Sequence, residues 1–138
     1  MNFRTVAGFL TGCIAWWFLF LAVGITFGLL WPAYREAARF LFSTGEFSHF
    51  TTPMLLLNYL VFLIDGAVTG WLVTLISNHR RPALIVALLY LIYTISEHYY
   101  LIWDKLPGWY NVIVPWVIAS AIVLGSRLRR PPVASTNA

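Results

Sequence analysis

The sequence predicts an all-α integral membrane protein with four transmembrane helices, and three observations support this. The 138 residues are 60% hydrophobic and only 10% charged, with a mean hydropathy of +0.77. A soluble domain carries about 25% charged residues, so this chain has too few charges to cover a globule with polar surface. Four apolar segments have about the 20 residues or more that a helix needs to cross the hydrocarbon core. The basic residues lie between and after these segments, as in multi-pass membrane proteins.

Prolines help to set the boundaries of the predicted spans. Pro32 stops the first apolar segment, Pro53 is well placed at the first helical position of the second, and Pro82 precedes the third. We expect one transmembrane domain of residues 1–130, with a short, polar, Pro-rich and disordered cytoplasmic tail at 131–138. The spans are predicted at about 6–31, 54–76, 83–103 and 110–128.

The distribution of basic residues predicts that both termini are cytoplasmic. With the N-terminus inside, the cytoplasmic side carries no acid and six arginines, which are Arg4, Arg80, Arg81, Arg127, Arg129 and Arg130. The outer side balances Arg35, Arg39 and Lys105 against Glu36, Glu46 and Asp104. Because cytoplasmic loops hold the excess of basic residues, this bias indicates an N-in, C-in protein of a cytoplasmic (inner) membrane. The net charge of +4 is explained in this way, and no nucleic-acid partner is predicted.

The connection between the first two spans is predicted to contain a short amphipathic helix at the outer interface. Apolar residues such as Tyr34, Ala37 and Leu41 fall on one side of this helix, whereas Arg35 and Arg39 fall on the other. Such a division is typical of helices that lie in the headgroup region.

The second and third spans carry polar side chains in stripes. Since each helical residue turns by about 100°, Asn58, Asp65 and Thr69 share one face of the second span. A short loop joins the two spans, so we expect them to be antiparallel neighbours with their stripes in contact. The predicted intramembrane polar network comprises Asn58, Asp65, Thr69, Tyr90, Tyr93, Thr94 and Glu97.

The two acids of this network need an explanation. An ionised carboxylate at the middle of a membrane costs about 2.5–3.5 kcal/mol on insertion scales. No Lys or Arg lies in the middle of a span, and burial favours the protonated form. Asp65 and Glu97 are therefore either neutral hydrogen-bonding groups that tie helices together or groups that an exchangeable proton or cation visits.

A metal or haem site on the outer side is a further alternative. Glu46 and His49 have the i, i+3 spacing found in di-iron bundles, and only His49 and His98 could share a haem. However, Glu46 and His49 follow Gly45 in a loop, whereas bundle sites place such pairs on helices. No CxxC, HExxH or CxxCH motif is present, so no cofactor is predicted. The absence of GxSxG and phosphate-binding motifs also argues against an enzyme.

These patterns favour one function and leave two alternatives. The favoured function is that of a non-catalytic accessory or self-associating membrane subunit with a buried acid network. The first alternative is a proton- or cation-coupled small transporter or channel that uses Asp65 and Glu97. The second is the metal- or haem-binding protein. Because four helices leave little room for a pathway inside one chain, we expect a homo-oligomer or a larger membrane complex. Its candidate contacts are the pairs Gly8/Gly12, Gly24/Gly28 and Gly66/Gly70.

Overall fold

The computed structural model describes residues 3–128, and every regular element in that range is helical. The elements are α1 (Phe3–Leu30), α2 (Pro32–Thr44), α3 (Thr52–Ser77), α4 (Arg81–Tyr100), a 3-10 turn (Trp103–Lys105) and α5 (Gly108–Arg127). The four helices α1, α3, α4 and α5 are long and apolar enough to cross a membrane, which confirms the predicted number of long apolar helices among the described residues. The predicted tail at 131–138 lies outside the described residues.

One helix ends earlier than its sequence pattern suggests. The sequence predicts that the third span reaches residue 103, whereas α4 ends at Tyr100 and the 3-10 turn follows. The side-chain amide of Asn111 donates to the carbonyl oxygens of Trp103, at 3.0 Å, and Leu106, at 3.2 Å. These bonds satisfy backbone groups outside the helical pattern, so the polar side chain of α5 stabilises the segment that follows α4.

The helix α3 is central in the bundle. It packs along most of its length against α5 and α1, whereas its contact with α4 is small. The helix α4 packs mainly on α5 and touches α1 more lightly, so the order around the bundle is α1, α3, α5, α4. The expected close pairing of the second and third spans is therefore not found, although a turn of only a few residues joins them.

Glycine explains why α3 packs so closely on α5. A Cβ atom added to Gly70 would overlap the carbonyl group of Ile122, and one added to Gly125 would overlap the backbone of Ala67. The two backbones are thus in direct contact at both points. Small residues allow transmembrane helices to approach in this way, and the resulting van der Waals packing stabilises them.

The glycines of α1 have two different roles. A Cβ at Gly12 would meet the side chain of Val73, and a Cβ at Gly8 would lie 3.0 Å from that of Ser77, so this pair packs against α3. A Cβ at Gly24 would instead meet no atom of the described chain within 4 Å. The Gly8 pair is therefore used within the chain, while Gly24 borders open space.

The helix expected between the first two spans is present as α2. Its Tyr34 and Ala37 are buried against the bundle, and its Arg35, Glu36 and Arg39 are exposed. Gly45 ends it with a φ of 74°, a left-handed conformation that suits glycine. The α2 end of the bundle is the end that holds α2 and the 3-10 segment Trp103–Lys105. The opposite end, which holds the short turn between α3 and α4, is called the turn end.

Candidate functional site

The bundle interior contains a cavity of about 580 Å³ that extends from α2 into the middle of the bundle. All five α-helices contribute to its walls, and most of its lining is aromatic or aliphatic. The aromatic rings of the lining include those of Trp16, Trp17, Phe20, Phe50, Phe62 and Tyr110. Small-molecule sites in proteins are typically cavities of about 300–1,000 Å³ with predominantly apolar walls.

The inner part of the cavity wall includes residues at which α1 and α4 are in contact. In the middle of the bundle the two helices are in contact: the Tyr90 hydroxyl donates to the Cys13 carbonyl at 3.2 Å, and the Trp16 and Tyr90 rings are 5.0 Å apart. A further contact, nearer the α2 end, is an edge-on pair of the Trp17 and Tyr93 rings, with centroids 6.5 Å apart. Beyond it, Gly24 faces open space.

The open side of the cavity lies between α1 and α4. Among its lining residues, Leu21 and Ile25 of α1 are more than half exposed, and Tyr93 of α4 is 48% exposed. Trp17, whose ring contacts that of Tyr93, is one helical turn from Leu21 on the same face of α1. If the four long helices span a bilayer, this opening faces the hydrocarbon region rather than water.

Asn58 links three helices at the cavity wall. The Tyr34 hydroxyl of α2 donates to its Oδ1 at 3.0 Å, and the Tyr110 hydroxyl of α5 interacts with the same side chain. Burial raises the pKa of Tyr34 above its ordinary value, so this hydroxyl stays protonated and remains a donor. Asn58, which the sequence singles out, therefore fixes α2 to the bundle.

His98 and Asn111 form a second buried pair on the wall between α4 and α5. His98 Nδ1 lies 2.8 Å from Asn111 Oδ1, and both residues are almost fully buried. The Asn111 amide nitrogen already donates to two carbonyls, so its oxygen accepts and His98 Nδ1 carries the proton. Sequence reasoning missed Asn111, although an asparagine in an apolar span is itself a signal of a buried partner.

The polar stripe of α4 is on the cavity wall, as the sequence spacing implies. Tyr90, Tyr93, Thr94 and Glu97 all line the cavity. The Tyr93 hydroxyl interacts with the Glu97 carboxylate one turn away, and the Thr94 hydroxyl donates to the Tyr90 carbonyl at 2.7 Å. Glu97 is partly exposed, so its carboxylate lies at the border of the cavity.

Asp65 and Thr69 are separate from this wall. Both are fully buried, and neither carboxylate oxygen of Asp65 nor the Thr69 hydroxyl has a hydrogen-bond partner among residues 3–128. Thr69 lies beside Gly12 of α1, and Asp65 is one turn along the same face of α3. The seven residues of the predicted network thus divide into five on the cavity wall and two beneath α1. This division follows from the small contact between α3 and α4.

The three weak metal-ligand candidates are in separate surroundings. The His49 ring stacks on Phe40 with centroids 3.9 Å apart, and Glu46 lies 3.4 Å from the Lys105 ammonium group. His98 is bonded to Asn111 as described. Across residues 3–128 no group of three or more His, Cys, Asp or Glu side chains is arranged to hold a metal ion.

The chain matches no known protein-family model, and no curated protein or solved structure is detectably similar to it. Its function must therefore be inferred from the geometry. The described residues combine a large apolar cavity, a side opening and a few polar groups on the wall. That combination suits the binding of a molecule that is mainly apolar.

Proposed function

We propose that this protein is a small, non-catalytic membrane protein that binds an amphiphilic molecule from the surrounding bilayer. The observation that carries this proposal is the cavity of about 580 Å³ with its apolar walls and its opening between α1 and α4. An opening between two membrane-spanning helices gives access from lipid without passage through water. The few polar groups on the wall, such as Asn58 and Glu97, would orient the bound molecule.

The proposal includes a location. The excess of arginine at the turn end supports an inner-membrane protein with both termini in the cytoplasm, as the sequence predicts. The exposed Arg35 and Arg39 of α2, next to an exposed Phe42, support a position of this helix at the outer interface. The cavity would then lie in the outer half of the membrane.

A homo-oligomer or a larger membrane complex is part of the same proposal. The helix α1 is the least buried of the four long helices, since few residues of its most apolar stretch are covered by the rest of the chain. A second copy or another membrane protein would find its largest uncovered apolar face there. Binding of an amphiphile next to α1 would then be coupled to that contact.

The test uses a substitution that fills the cavity without disturbing the packing. Gly24 borders open space, so Gly24→Phe can place a ring in the cavity. Ala22→Phe is the matched control, because Ala22 is exposed on the same helix and is not part of the cavity lining. Binding of an uncharged pyrene-labelled long-chain alcohol to the purified protein is measured by energy transfer from tryptophan. We expect Gly24→Phe to weaken binding at least tenfold, which corresponds to about 1.4 kcal/mol. Equal binding by both variants would refute the proposal.

A proton- or cation-coupled carrier is the second candidate, and Asp65 favours it. A fully buried carboxyl group without a hydrogen-bond partner is costly, and intramembrane acids often mark ion pathways. Proton and cation flux into liposomes that contain the full chain would be compared between wild type and Asp65→Asn. Flux that disappears in a correctly inserted Asp65→Asn protein would support the carrier. Flux that is absent from both proteins would support the binding function alone.

A further inference from the structure

Two arginines stand at the α2 end of the cavity. Arg35 and Arg39 are one turn apart on the same side of α2, and both contribute to the cavity lining. Both are exposed, and neither forms an ion pair within residues 3–128, where the single ion pair joins Lys105 to Glu46. Side chains at i and i+4 on a helix are neighbours, about 5–6 Å apart at Cβ. Two unpaired guanidinium groups at this spacing can share one anion.

The cavity below these arginines has the length of a lipid chain in one leaflet. The Arg35 side chain lies next to Gly28, since a Cβ at Gly28 would be 3.8 Å from that of Arg35. From Gly28 the lining of α1 continues through Gly24 to Trp17, which is 11 residues further in. At 1.5 Å per residue this is about 16 Å, or half of the roughly 30 Å hydrocarbon core.

We infer that the cavity holds an anionic phospholipid, with its phosphate on Arg35 and Arg39 and one acyl chain between α1 and α4. This inference rests on the proposed function and names the ligand class. Arginine suits the task because its planar group binds phosphate oxygens in pairs. A soluble phosphate lacks the chain that the apolar walls require. The one acid among the described lining residues, Glu97, interacts with the Tyr93 hydroxyl of its own helix, so it leaves the arginines free for a headgroup.

The test is a competition between two lipids with the same acyl chains. The purified full chain is equilibrated with equal amounts of phosphatidylglycerol and phosphatidylcholine, and the retained lipid is identified by native mass spectrometry. We expect wild type to retain one phosphatidylglycerol with about a tenfold preference, because each basic residue near an anionic headgroup contributes several-fold. In Arg35→Gln/Arg39→Gln the preference should vanish, while binding of the uncharged pyrene alcohol persists.

The control removes the same charge elsewhere. Arg80→Gln/Arg81→Gln eliminates two exposed arginines at the turn end and should keep the preference. Equal retention of both lipids by wild type, or an unchanged preference in the Arg35/Arg39 variant, overturns the inference but not the proposed function. The inference would also be overturned, in favour of a site for free anions, if millimolar inorganic phosphate abolished the preference for phosphatidylglycerol and bound without any acyl chain. Equal pyrene-alcohol binding by Gly24→Phe and Ala22→Phe would instead remove the proposed function itself.

Discussion

The contact between α3 and α5 allows a stability prediction with a defined size. In Gly70→Ala the new methyl group would occupy the position of the Ile122 carbonyl, with the Ser126 nitrogen only 3.0 Å away. Both obstacles are backbone atoms, so no side chain can rotate to relieve the overlap and the helices must move apart. Overpacking of this kind typically costs about 1–3 kcal/mol. Alanine also favours a helix over glycine by about 1 kcal/mol, and this gain is the same in any glycine-to-alanine substitution within a helix.

The matched comparison is Gly24→Ala on α1. This substitution has the same change in helix propensity, but its methyl group meets no atom of the described chain within 4 Å. We therefore expect Gly70→Ala to be less stable than Gly24→Ala by about 1–3 kcal/mol, the full cost of overpacking. Reversible unfolding in mixed detergent micelles, followed by far-UV circular dichroism, measures the difference. If the two proteins unfold at the same detergent composition, the close contact of α3 with α5 is not as described.

Three further substitutions test the polar contacts. Tyr34→Phe removes the hydrogen bond to Asn58 and should lower the free energy of unfolding by about 0.5–1.5 kcal/mol, whereas Tyr100→Phe, at an exposed position, should have no effect. Asn111→Leu leaves a buried imidazole and two carbonyls without their partner, so its loss in the same unfolding assay should exceed that of Tyr34→Phe. Asp65→Asn should leave pyrene-alcohol binding unchanged, because Asp65 does not line the cavity; a tenfold loss would show that the two sites are coupled.

The helices themselves could be predicted because they depend on local patterns. Apolar length and prolines locate all four long helices, and the alternation of Tyr34, Ala37 and the nearby arginines locates α2. The end of α4 could not be predicted in the same way. The non-helical segment that follows α4 is bonded to Asn111, which comes from another helix and reaches this segment only after folding.

The order of the helices could not be derived from loop length. A short connection predicts that α3 and α4 are neighbours, but it does not say how much surface they share. Side-chain size decides that question, because Gly70 and Gly125 allow α5 to approach α3 more closely than α4 can. A spacing of two glycines in sequence does not identify its partner, so the same motif could equally have formed contacts between chains.

The candidate site could be predicted from the sequence only in part. The spacing of Tyr90, Tyr93, Thr94 and Glu97 predicts one shared face, and these residues do line one wall of the cavity. Helical periodicity gives the direction of a side chain relative to its own helix, and it correctly places Asp65 on an interior face of α3. Periodicity does not predict that α1 is the helix that packs over this side chain. The cavity is a property of several helices together and has no signal in any one of them.

The presence of the cavity also indicates that this part of the chain is selected for function rather than for stability. Protein interiors are normally packed to crystal-like density, and each void loses contacts that would stabilise the fold. The chain achieves that density between α3 and α5, where Gly70 and Gly125 bring two backbones together. It does not do so at Gly24, where the same residue type borders open space and where a larger apolar side chain would fit. The packing contacts that are missing around Gly24 are the cost of the open cavity. A cost that one common substitution could remove is most simply explained if the open space is occupied when the protein works.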